Sequence, residues 1–153
     1  MHQGVGIAVV ALLLAGGFGA FRAYADGRFR GTHRVRGLES GAEEEPVSVL
    51  HGVDLDHTLG ERATLLQFSS AFCAPCRATR RVLADVAAIV PGVEHVEVDA
   101  EHHLELVRRV GVLRTPTTLV LDAAGREVTR ASGALRKQQV LAAMASAIPD
   151  RPS

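Results

Sequence analysis

Thr64-Leu65-Leu66-Gln67-Phe68-Ser69 runs through Ser70-Ala71 into Phe72-Cys73-Ala74-Pro75-Cys76. The first six residues are a β-rich apolar run bounded by a charged turn, and they predict a strand. From Ala74 to Val90 the pattern turns helical. Cys76, Leu83, Val86 and Val90 recur near every 3.6 residues, and Arg77, Arg80, Arg81 and Asp85 take the wet side. Pro75 fits the first turn, where its missing N–H costs nothing. The only two cysteines of the chain therefore stand at the C-x-x-C spacing on a strand-to-helix junction. That context points to a redox dithiol rather than a metal knuckle or a chance pair. A Cys at a helix start meets the positive end of the helix dipole, which favours its thiolate, and a second Cys one turn later can resolve a mixed disulfide.

Outward from this junction the chain alternates elements. Val47 to Leu50 predicts a short strand, and Gly52 to Glu61 is turn-like. Pro91-Gly92 stops the helix, and Val93-Glu94-His95-Val96-Glu97-Val98 alternates as a strand. Asp99 opens a helix over about Glu101 to Val110. Thr117 to Leu121 is a strand, Ala123-Ala124-Gly125 a turn, and Glu127 to Ala131 completes a hairpin. Leu135 to Ile148 predicts a last helix. The order β, β, α, β, α, β, β, α is an α/β pattern with a terminal hairpin.

At 153 residues and 47% hydrophobic content there is enough chain for one packed domain. Zero formal net charge gives no reason to expect a nucleic-acid partner, but it hides an asymmetry. Residues 1–36 hold five Arg and one Asp, and the acidic excess lies in the remainder. Two cysteines are too few for a disulfide-stapled scaffold, and one C-x-x-C is half of a four-thiolate zinc site.

Gly4 to Phe21 is an uncharged, mostly apolar run. As a helix it spans about 27 Å at ~1.5 Å per residue, against a hydrocarbon core of ~30 Å. It predicts one N-terminal transmembrane helix within residues 1–22. Met1-His2-Gln3 carries no Lys or Arg, whereas Arg22, Arg28, Arg30, Arg34 and Arg36 follow, which places the C-terminal side in the cytoplasm. The alternative is an exported domain, tethered or cleaved after Ala25, since Ala23-Tyr24-Ala25 has the form of a signal-peptide site. Residues 23–46 read as a basic-to-acidic linker and residues 47–153 as the folded domain.

A second motif lies forty residues beyond Cys76: Arg114-Thr115-Pro116-Thr117 at the start of the strand before the hairpin. With Cys73-Ala74-Pro75-Cys76 and this element order, the chain resembles the thioredoxin-like family, in particular its membrane-anchored bacterial members. Asp99 and Gly133 also look like family positions. The resemblance implies a thioredoxin fold: a central mixed sheet with a terminal β-hairpin, flanked by helices, with a cis proline at Pro116 facing the dithiol. It implies a protein-disulfide oxidoreductase in which Cys73 attacks and Cys76 resolves. Phe72, Ala74, Pro75, Thr115 and Pro116 would contact substrate, held as an extended strand. Disulfide-containing proteins would be the substrates and an upstream electron donor the partner, with no cofactor and no metal. The closeness of Ala-Pro to the family's Gly-Pro, and a cytoplasmic domain, point to a disulfide reductase.

The chain departs from the family pattern in places. Phe72 stands where the family usually has Trp. Gln67 takes the place of a buried Asp that in the family usually accepts a proton from the resolving thiol; an amide is no base, so the Cys76 proton must pass to another group, such as His95, or to water. His95 replaces a Lys of the central strand; its alternation with Val96 and Val98 predicts an exposed strand histidine. Gln67 itself reads equally well as a hydrogen-bonded core residue. Two other functions fit the same residues: a redox-silent binding module tethered to the membrane, or a copper-binding module using the thiols with His102 or His103.

Overall fold

The computed structural model describes residues 2–25, 30–31, 48–53 and 58–148. Val47, most of the expected linker and the C-terminal 149–153 lie outside the described residues. The elements are α1 (His2–Ala25), β1 (Arg30–Gly31), β2 (Ala63–Ser69), α2 (Ala74–Ile89), β3 (Val93–Asp99), α3 (Leu104–Arg109), β4 (Thr117–Asp122), β5 (Glu127–Ser132) and α4 (Lys137–Ala147).

Five strands form one mixed sheet in the order β1-β5-β4-β2-β3. The strand predicted from Thr64 to Ser69 is its centre: β2 runs parallel to β3 and antiparallel to β4. Every residue of β2 is buried, because a central strand covered on both faces has no wet side. Leu65 faces α2 and α4, in a cluster with Leu83, Val86, Val120, Val140 and Met144. Leu66 and Phe68 face the other way, against Val96, Val98, Leu106 and Leu119, with Val49, Leu50 and Val53 packed alongside. Cores therefore lie on both sides of the sheet, and the C-terminal ends of β2 and β3 meet the start of β4 along one edge.

The structure corrects the expected elements in several places. Ser48 to Leu50 is no strand but the start of a turn, in which the Ser48 carbonyl accepts from His51 N–H at 3.0 Å and the Ser48 hydroxyl from Leu50 N–H at 3.2 Å. Local side-chain bonds of this kind compete with ladder pairing. α3 is shorter than the expected Glu101 to Val110, because the Asp99 carboxylate takes Glu101 N–H at 2.8 Å and holds that stretch as a turn. The two-residue β1 pairs with β5 through Arg30↔Arg130 and Gly31↔Thr129, within the segment read as linker.

α1 covers the apolar run, and its large side chains, among them Ile7, Leu12, Leu13, Leu14, Phe18 and Phe21, are exposed. Among the described residues no helix is long and apolar enough to cross a membrane.

The hairpin between β4 and β5 is closed by Asp122. Burial pushes its carboxyl upward, but hydrogen bonds from Arg126 N–H, the Arg126 guanidinium and Ala124 N–H outweigh this and leave it below its ordinary value of 3.8. A carboxyl depressed on folding stabilises above its unfolded value and loses that contribution as pH falls through the folded one. Asp122→Asn is therefore expected to lower stability at neutral pH. The gap from the parent should close as pH drops below about 3.8, read by urea unfolding across pH. A gap independent of pH would show that the charge is not what holds the turn.

Candidate active site

α2 starts where β2 ends, and the sequence makes that junction abrupt. Cys73 is the N-cap, with φ −93° and ψ 95°, and its Sγ accepts the Cys76 N–H at 3.1 Å. Pro75 follows in the first turn, which contains no acidic residue. Nothing in that turn opposes a negative charge on Cys73. Cys73 and Cys76 are joined as a disulfide with Cα atoms 5.2 Å apart. Cys73 is half-buried, whereas Cys76, one turn inside, is 2% exposed. Ala74 and Pro75 are exposed, and Phe72 is fully exposed.

The Thr115–Pro116 bond is cis, as the resemblance implied. Pro116 is buried, and its carbonyl accepts from Gly133 N–H at 2.8 Å. Phe68 pairs with Thr117 across β2 and β4, so the Pro116 loop and the Cys73 loop share one end of the sheet. A hydrogen bond of 3.0 Å between the Ser70 and Thr115 hydroxyls ties them together. The residues singled out in the sequence thus lie together at this end of the sheet: Phe72 and Cys73 on one loop, Ala74, Pro75 and Cys76 in the first turn of α2, and Thr115 and Pro116 on the loop fastened beside them. Leu113, in the second loop, is also almost wholly exposed. Sequence reasoning passed over it because a lone Leu between Val112 and Arg114 carries no periodic signal.

Beneath the disulfide lies a polar chain that only the strand register reveals. The Gln67 amide nitrogen donates to the Cys76 carbonyl at 3.0 Å and to Ser69 Oγ at 2.8 Å. Gln67 Oε1 lies 3.2 Å from His95 Nε2. The Ser69 hydroxyl donates to Glu97 Oε1 at 2.6 Å, and Glu97 Oε2 pairs with Arg80 at 3.1 Å. His95 is half-buried rather than the exposed strand residue expected. Alternation correctly set it opposite Val96 and Val98, but that opposite face is covered by α2. Gln67 is a hydrogen-bonded core residue. Of the arginines expected on the wet side of α2, Arg80 is engaged by Glu97.

His102 Nδ1 pairs with Asp99 Oδ2 at 3.0 Å. The Asp99 carboxyl lies below its ordinary value, chiefly through the Glu101 N–H bond and then through His102. Among the described residues no group of three or more His, Cys, Asp or Glu side chains is placed to hold a metal ion.

Residues 47–146 match the family model described as Thioredoxin. The chain belongs to the thioredoxin family. It is 30% identical to thioredoxin H-type 1 of Nicotiana tabacum over 51% of its own length and 61% of that protein's, so it spans about three fifths of that relative. To thioredoxin of Alicyclobacillus acidocaldarius it is 30% identical over 58% of its length and 85% of the relative's. The crystal structure of Fasciola hepatica thioredoxin superposes with a TM-score of 0.51 at 26% identity, covering 57% of this chain and 83% of the other. The family match covers β2 to β5, α2, α3, nearly all of α4 and both loops of the site, and begins beyond α1 and β1.

Proposed function

We propose that this chain is a thiol–disulfide oxidoreductase that reduces disulfides of protein substrates from a membrane anchor. The observation that carries the reading is the disulfide between Cys73, capping α2, and buried Cys76, with the Thr115–Pro116 loop fastened beside it. In the reduced protein, Cys73 as thiolate attacks one sulfur of a client disulfide. A Cys73–client bond forms, and the client's other sulfur leaves as a thiolate and takes a proton. Cys76, deprotonated, then attacks Cys73 Sγ. The Cys73–Cys76 bond forms, the Cys73–client bond breaks, and the client leaves with both its sulfurs reduced. Two electrons have passed to the client, and an upstream dithiol donor must return them to the Cys73–Cys76 pair.

The helix start favours the Cys73 thiolate, while the depth of Cys76 keeps it for the intramolecular step. Thr115 and Pro116 would receive the client backbone as an added strand. Phe72 and Ala74-Pro75 would meet its side chains. Support for the anchor comes from the uncharged, mostly apolar run of residues 4–21 and from the exposure of Ile7, Val9, Leu12, Leu13, Phe18 and Phe21 along α1, a pattern that suits a helix covered by lipid. Arginines downstream of it would keep the domain cytoplasmic.

Both parts are tested on the full chain in detergent or membranes. With dithiothreitol as donor, the protein should accelerate precipitation of reduced insulin and should stay with membranes through alkaline carbonate extraction. Failure to catalyse insulin reduction would sink the oxidoreductase reading in favour of a binding module. Release by carbonate would sink the anchor.

A further inference from the structure

The β2–β4 register ends at Phe68↔Thr117. Counted two places further, Ser70 falls opposite Thr115, outside both strands. There the pairing is carried by side chains: the two hydroxyl oxygens lie 3.0 Å apart. Each hydroxyl can donate or accept, so the pair is satisfied in either sense. Both residues are half-buried.

Ser70 also reaches the dithiol. Its carbonyl accepts the Cys73 N–H at 3.2 Å, in the turn that leads into α2. One residue therefore holds Cys73 through its main chain and the neighbouring loop through its side chain. On its far side that loop is pinned to β5. Thr117 spends its hydroxyl hydrogen on the Arg114 carbonyl at 2.7 Å, so the Ser132 hydroxyl, 3.0 Å away, must donate to Thr117. The Pro116 carbonyl takes the Gly133 N–H at 2.8 Å. Among the described residues the Thr115 main-chain N–H and C=O have no partner, which leaves them for a client strand. The Ser70 hydroxyl ties that stretch back to Cys73.

We propose that Ser70 and Thr115 are positioning residues for protein clients: their hydroxyl pair fixes the client-receiving loop against the Cys73 turn, so that a bound strand brings its disulfide in line with Cys73. This rests on the oxidoreductase reading above. Neither hydroxyl takes part in the bonds made and broken. A protein client is held at the loop as well as at the sulfur, so it gains from a fixed distance between them. A small disulfide, held only at the sulfur, gains little.

The test uses the full chain in detergent, reduced and freed of reductant. It is mixed with insulin or with a small aromatic disulfide that releases coloured thionitrobenzoate, and loss of the protein thiols is followed by acid quench and alkylation. The readout is the ratio of the insulin rate to the small-disulfide rate. Ser70→Ala and Thr115→Val should each lower that ratio about tenfold. The double variant should fall no further than either single one, because both remove the same bond. Ser70→Thr and Thr115→Ser keep a hydroxyl and should stay within about threefold of the parent. An unaltered ratio in the folded variants overturns the proposal. So do two rates that fall together, the mark of a merely structural role, and single losses that multiply to about 10²-fold in the double variant. If Ser70→Ala does not fold, Thr115→Val breaks the same bond and decides; unfolding of both assigns the pair to stability and overturns the proposal as well. A parent oxidised by neither substrate overturns the oxidoreductase reading itself. A parent oxidised by both, with the ratio unmoved in the variants, overturns only the positioning role.

Discussion

Cys73→Ser is expected to abolish disulfide reduction, lowering the insulin-reduction rate by at least about 10⁴-fold, the scale seen when an enzyme loses its nucleophile. A serine hydroxyl at the α2 N-cap keeps the cap, since Ser accepts an N–H as Cys73 Sγ does from Cys76. It supplies no thiolate, however, so chemistry is lost without loss of fold. The exposed neighbours make the contrast sharp. Phe72 is fully exposed, so Phe72→Ala should leave the fold intact, and if Phe72 meets the client as proposed its effect should be on apparent client affinity. A Cys73→Ser protein that still reduces insulin with dithiothreitol would refute the mechanism.

The largest effect on stability is expected from Phe68→Ala. Phe68 is fully buried at the end of β2, in the cluster with Leu66, Val96, Val98, Leu106 and Leu119. Removing its ring leaves a cavity that a sheet paired on both sides of β2 cannot collapse into. The expected cost is about 3–5 kcal/mol, out of the roughly 5–15 kcal/mol available to a domain of ordinary size. Urea unfolding followed by far-ultraviolet circular dichroism suits a chain with no Trp and one Tyr. Phe72→Ala, at a fully exposed position, should stay within about 0.5 kcal/mol of the parent. A similar cost at both positions would contradict the packing described.

Strong local signals were legible in the sequence. The apolar run from Thr64 to Ser69, the helix after Cys73 and the hairpin around Ala123-Ala124-Gly125 each have a periodicity or turn chemistry of their own. Their order, with the Pro116 motif, sufficed for the family. What was not legible depends on register. Ser70 and Thr115 lie far apart in the chain and meet only once β2 and β4 pair. The chain from His95 through Gln67 to Cys76 exists because parallel β2 and β3 set Gln67 beside Glu97, with His95 two residues away on the same face. Alternation told which way His95 points but not that α2 would cover that side. Short elements failed for another reason. Arg30–Gly31 has no pattern to detect, and the Ser48 and Asp99 side chains turn the backbone against the propensity of their neighbours.

The most direct measurement is the reduction potential of the Cys73–Cys76 pair in the full chain, equilibrated in detergent across glutathione and dithiothreitol buffers. The reductase account predicts a value near about −270 mV. A value near roughly −120 mV, or no redox transition at all, would contradict it.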